Sequence, residues 1–381
     1  MSDLRDGEME DSVAIGFAKG LLPKRGRRRP RVLGKPGRAA VYHVVSRTCG
    51  QEFLLGMVEK ERMRDLIGRV AGFCGVELLT YCILDNHFHL LVEVPGKVGE
   101  LDDAELIRRA GFLYGGKARP GQPLTLSMVE GALAEGGATR AYMRELLMRR
   151  MGSLPMFVKL LKQRFSIRYN RLNERKGTLW EGPFRSVLVE NSREALALVG
   201  AYIDLNAVRA GIVEDPKDYR YCGYGEAVGK GKLGGYALLV RLAGMGFGAE
   251  LLKMEAETET ISDGTALRCT QDRVEAAGQL YRLLMFEEAT DGSASEKGRV
   301  LPKAVFWRVD AAGGGLSRGQ LLRCRIRYLT EGAVIGSRAF VEDWFAGVRG
   351  AFGGRETGAR PMKGGDFGDL CALRDLRDPL G

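Results

Sequence analysis

From Ala39 onward the apolar residues fall into short blocks whose period changes along the chain. VYHVVSRT (41–48) is rich in β-branched residues and reads as a strand. VEKERMRDLIGRVAGFCG (58–75) spaces its apolar residues along one face of a helix and ends at Gly75, a residue suited to a helix C-terminus. VELLTYCIL (76–84) and HFHLLVEVP (87–95) read as two more strands, joined through Asp85 and Asn86 as a tight hairpin. Residues 101–150 read as helices with Gly/Pro-rich breaks around 115–122, and 153–177 as a long basic helix stopped near Gly177. PFRSVLVEN (183–191) reads as a strand and SREALALVGAYIDLNAVRAG (192–211) as a helix, opened by a capping box of Asn191 and Glu194 and closed by Gly211.

Past residue 225 the pattern weakens. It shows a Gly/Lys break (GKGKLGG), helices near 237–290 and a Ser/Gly linker at 291–298. The segments 317–329 and 337–349 read as two helices around the turn TEGAVIG, a pairing that fits a helix-turn-helix or an ordinary packed pair. The expected organisation is a basic arm (1–37), a main domain (38–225), a helical extension and linker (226–300), the helical pair (301–350) and a disordered tail (351–381).

Charge sharpens this picture. Fifty-eight Lys+Arg against 48 Asp+Glu give a net charge of +10, which favours a polyanionic partner. Residues 18–38 hold nine basic side chains and no acidic one, so we expect a disordered arm in which Arg27, Arg28 and Arg29 touch nucleic-acid phosphates. On the long basic helix, Arg164, Arg168, Arg171, Arg175 and Lys176 would line a second positive surface. The seven cysteines form no Cys-x-x-Cys pair, which suggests neither a zinc site nor a disulfide framework. No run approaches the ~18 apolar residues of a membrane span, and the acidic start is unlike a signal peptide. The expectation is a soluble, cytoplasmic protein.

The chain has three histidines, and His87 and His89 stand at i and i+2 in a predicted strand, so both point to one face, where they can hold one divalent ion or simply meet solvent. A zinc-hydrolase barrel would need eight βα units and further His and Asp ligands, and only His43 remains, read as a plain strand residue. Tyrosine is the natural nucleophile for phosphoryl transfer here. Two tyrosines carry an amide four residues on, on the same helix face: Tyr169 with Asn173, and Tyr202 with Asn206. Tyr169 falls on the apolar stripe Phe157, Leu161, Phe165 and Leu172, which points to packing, while Tyr202 is placed to reach the rim of a site. Trp180 reads as a core anchor, with base stacking the alternative.

At these residues the chain resembles the REP-associated tyrosine transposases, members of the single-tyrosine HUH transposases of insertion sequences. The landmarks are YHVVSR, YCILDNHFHLLVEVP, FVKLLKQRFSIRYNRLNERKGTLWEGPFRS and AYIDLNAVRAGIV, in that order over about residues 38–225. The resemblance implies an α+β fold, a ferredoxin-like antiparallel sheet with flanking helices, followed here by a helical C-terminal region. It implies His87, His89 and Asn206 as ligands of Mg2+ or Mn2+ and Tyr202 as nucleophile. In that family the tyrosine attacks single-stranded DNA beside a hairpin, giving a 5′-phosphotyrosine link and a free 3′-OH. One departure is Ala207, where the family pattern usually has proline after the asparagine. The implied partner is single-stranded or hairpin DNA, bound by a monomer or homodimer in the nucleoid. The alternative is a domesticated descendant that binds nucleic acid without cutting.

Overall fold

Side-chain alternation along the first strand decides which helix covers which face of the sheet. The computed structural model describes residues 37–96, 99–116, 124–230, 236–249, 270–286, 321–348, 358–363 and 367–373. The N-terminal arm with Arg27, Arg28 and Arg29, and the linker at 291–298, lie outside the described residues.

The chain runs β1 (Ala40–Arg47), α1 (Met57–Cys74), β2 (Glu77–Ile83) and β3 (His87–Val94). Helices α2 (Asp103–Tyr114), α3 (Leu126–Glu135), α4 (Gly137–Met148) and α5 (Leu154–Leu172) follow, then β4 (Arg185–Val189). β1 pairs antiparallel with both β3 and β4, and β2 with β3. With α1 between β1 and β2 and α5 between β3 and β4, this is the expected ferredoxin-like arrangement. Gly75 closes α1 at φ +67, in the left-handed region where a β-carbon is disfavoured.

β1 places Val41, His43, Val45 and Arg47 opposite Glu93, Leu91, His89 and His87, so these eight residues share one face. The other face carries Phe88, which meets Trp180 edge-on, and Trp180 in turn packs on Phe165 of α5. Trp180 is a core anchor whose indole N–H donates to Ser166 Oγ at 2.9 Å. The histidine face is covered by α6 (Arg193–Asp204), which continues through α7 (Asn206–Arg209). Every residue of α6 from Ala195 to Asp204 is buried, because the helix is enclosed by the sheet, α8 (Gly223–Gly229), α9 (Ala237–Gly244) and α10 (Thr270–Phe286).

Several local expectations are corrected. The basic helix stops at Leu172, five residues early, because Glu174 takes a left-handed φ of 49. The expected single helix 192–211 breaks at Leu205. Its capping box does not form: Asn191 donates to Glu93 and Glu194 pairs with Arg193. Gly211 does adopt the left-handed φ of +68.

The larger correction lies in the C-terminal region. The segment read as a turn between two helices contains a strand, β5 (Val334–Gly336), set between α11 (Arg327–Glu331) and α12 (Arg338–Val348). β5 pairs parallel with β4, then β7 (Cys371–Ala372) and β6 (Arg360–Pro361) extend the sheet to the order β2-β3-β1-β4-β5-β7-β6. The helical pair is thus bound to the sheet rather than presented as a helix-turn-helix. Part of the tail expected to be disordered also has a defined place.

Candidate metal and tyrosine centre

The two strand histidines point the same way because the β pleat sends i and i+2 to one side, and their rings lie 5.1 Å apart between centroids. Their orientation comes from what each Nδ1 meets. Asn86 donates through Nδ2 to the Gln51 carbonyl at 3.0 Å, which turns its Oδ1 toward His87 Nδ1 at 2.6 Å. His87 therefore donates from Nδ1 and leaves Nε2 bare, the form in which imidazole binds a metal.

His43 is not the isolated strand residue expected. Its ring stacks on His89 at 5.1 Å, with a 2.8 Å contact between His43 Nε2 and His89 Nδ1. All three imidazoles are held neutral. Burial lowers His43 to about 4, with Arg209 adding to the shift and the Leu329 carbonyl opposing it. Burial lowers His87 to about 4, helped by Arg47, Arg209 and Arg325. Burial, then His43 and His87, push His89 well down.

α6 brings Tyr202 over this group, its ring centroid 6.1 Å from His43 and 6.3 Å from His89. Tyr202 is only 2% exposed, so it sits inside the centre rather than at its rim. Arg209 stacks on the Tyr202 ring at 3.8 Å, donating to the Tyr202 and Leu322 carbonyls. Asn206 uses its amide nitrogen to cap the end of α6, donating to the Ile203 carbonyl at 3.0 Å and the Tyr202 carbonyl at 3.3 Å. Its Oδ1 is the atom suited to a metal. Among the described residues no three or more His, Cys, Asp or Glu side chains are grouped to hold a metal ion.

Tyr169 is excluded from this centre. It is half-buried and stacks on Phe165 at 6.1 Å, on the opposite side of the sheet. Arg164, Arg168 and Arg171 also lie on that side, in a groove of about 1160 Å3 shared with Arg62, Arg69, Arg149, Arg150 and Lys159. Arg175 pairs with Glu52 at 3.5 Å, and Lys176 is exposed. The basic helix therefore cannot hold DNA against the histidines from their own face.

The cations that do surround the histidines were missed: Arg47, Arg209 and Arg325, with Arg185 next to Arg47. Arg47 could have been found, since it follows His43 by four residues in one strand and must share its face. Arg185 and Arg325 reach the centre only through tertiary contacts, and buried Glu331 pairs with both, at 3.9 and 3.2 Å.

Residues 38–101 match the family described as Transposase IS200 like. No curated protein matches the chain significantly. Among solved structures, that of a REP-associated tyrosine transposase bound to a REP hairpin aligns at 14% identity, over 54% of this chain and 86% of that chain, with a TM-score of 0.33. The strand, helix and hairpin that carry His43, His87 and His89 are thus similar to the IS200-like transposases.

Proposed function

We propose that this protein is a transposase that cleaves and rejoins single-stranded, hairpin-bearing DNA through a 5′-phosphotyrosine intermediate. The observation that carries the reading is the meeting of Tyr202, on α6, with His89 and His43, ring centroids about 6 Å apart, the two histidines lying on strands within the residues that match the IS200-like family. His87, His89 and Asn206 would hold Mg2+ or Mn2+, which supplies polarisation of the scissile phosphate and offsets charge built up during transfer.

The chain's own residues account for the remaining steps. The Tyr202 hydroxyl oxygen gives up its proton and attacks phosphorus, the bond to the 3′ oxygen breaks, and that oxygen takes up one proton to leave as a 3′-OH, so no proton is gained or lost overall. One phosphodiester is exchanged for another, so the 3′-OH of a second end can reverse the step. Arg209 holds the Tyr202 ring in place, and Arg47 adds positive charge where the DNA backbone would lie. The groove along α1 and α5 is a separate backbone-binding surface. No described helix is long and apolar enough to cross a membrane.

The test is covalent capture. Protein mixed with hairpin-bearing single-stranded oligonucleotides and Mn2+ should give an adduct on a denaturing gel, lost in Tyr202→Phe and kept in Tyr169→Phe. An adduct that survives Tyr202→Phe removes the assigned nucleophile. The burial of Tyr202 favours a second reading, a protein that grips hairpin DNA without cutting it. That reading expects salt-sensitive retention and no adduct with any metal.

A further inference from the structure

The C-terminal segment and the histidine centre are joined by a hydrogen-bond chain that fixes where the protons sit. His43 Nδ1 lies 2.6 Å from the Leu329 carbonyl oxygen, a buried contact between residues 286 positions apart. A carbonyl only accepts, so His43 Nδ1 carries the hydrogen. In a neutral ring Nε2 must then accept, and the group 2.8 Å away is His89 Nδ1. His89 therefore donates from Nδ1 and keeps its lone pair on Nε2. The same segment also receives the Arg209 guanidinium on its Leu322 carbonyl, 2.6 Å away, while that guanidinium stacks on Tyr202.

We propose that His43 is a positioning residue that sets the tautomer and ring orientation of His89, and that the segment carrying Leu322 and Leu329 is part of the same centre. His87 is set by its sequence neighbour Asn86. His89 has no such neighbour, and its Nδ1 partner comes from β1, backed by a carbonyl from the far end of the chain. The consequence for metal binding rests on the proposed function; the tautomer itself does not.

The chain's three histidines make the test direct. Full-length protein labelled with 15N-histidine gives three ring patterns in two-bond 1H–15N spectra, assigned by loss of one pattern in each single variant. The expected wild-type result, without metal or DNA, is His89 protonated on Nδ1 and bare on Nε2. A wild-type His89 with its proton on Nε2 overturns the proposal and requires no variant. His43→Phe fills the space but cannot accept a hydrogen bond, so His89 should lose its fixed tautomer, and Mn2+ affinity measured by EPR of the free ion should fall roughly 10- to 100-fold. His43→Gln, whose amide both donates and accepts, should restore most of that affinity. Wild-type Mn2+ affinity in a folded His43→Phe protein also overturns the proposal. A wild type with the expected tautomer that binds no Mn2+ supports the relay and instead removes the metal from the proposed function.

Discussion

Asp204 shows at residue scale how much of this centre depends on groups that do no chemistry. Its buried carboxylate accepts from Thr80 Oγ1 at 2.9 Å, Tyr236 at 2.5 Å and Tyr281 at 2.7 Å, tying α6 to β2, α10 and the residue that opens α9. Burial nevertheless pushes it up to about 6 from an ordinary 3.8, against those hydrogen bonds. Between these values the folded state binds more protons than the unfolded one, so the contribution of Asp204 to stability is largest at low pH and is lost as pH rises through 6. Relative to wild type, Asp204→Asn should gain up to about 3 kcal/mol between pH 4 and pH 7, read from urea unfolding at both pH values; a pH-independent difference would contradict the shift. Arg209 gives a second prediction. Arg209→Lys keeps the charge but loses the planar stack on Tyr202, a contact worth ~1 to 2 kcal/mol, and should slow single-turnover adduct formation about tenfold with hairpin affinity unchanged. If affinity falls instead, Arg209 acts on DNA rather than on the tyrosine. His87 and His89 were legible in the sequence because a period of two needs no tertiary knowledge. The partnership of His43 with His89 was not, because strand register depends on pairing across 46 residues.

Helices and strands were legible where local chemistry is strong. Gly75 is one such place, with φ +67 and a hypothetical β-carbon 2.3 Å from Arg109 Nη1. Gly75→Ala should cost about 1 to 2 kcal/mol by denaturant unfolding, and an unchanged midpoint would mean the cap relaxes. The basic helix shows where element-level reading falls short. Its composition indicated DNA contact, but α5 packs on the Phe88 face, away from the histidines. Replacing Arg164, Arg168 and Arg171 together with Gln should reduce the slope of log affinity against log salt by about 2 to 3. Adduct formation at saturating DNA should stay near wild type. A change in the chemical step with no change in salt slope would place these arginines at the centre after all.

The whole molecule is a sheet extended by its own C-terminus. The Leu188 and Glu190 amides donate to the Ala333 and Ile335 carbonyls, each at 2.9 Å, and Glu190 holds Ser337 through its carboxylate. These two amides, at Leu188 in β4 and at Glu190 just past its end, should therefore exchange with deuterium as slowly as those between β1 and β3, in one cooperative unit. Rapid exchange at Leu188 and Glu190 beside a protected β1–β3 ladder would show that the C-terminal region opens independently. What the sequence alone determined is the strand-helix-hairpin from residue 40 to 94 and the placing of His87 and His89 on one face of its last strand. Those follow from period, capping and turn chemistry, all of which act within a few residues, whereas the roles given to the histidines and to Tyr202 came with the family resemblance. Tertiary structure decided which sheet face each helix covers, the burial of Tyr202, the ring of Arg47, Arg209 and Arg325 with Arg185 next to Arg47, and the entry of residues 334–336 into the sheet. The segment TEGAVIG looks like a turn by its glycines. It becomes a strand because the free edge of β4 offers hydrogen bonds and apolar cover that no short-range pattern encodes.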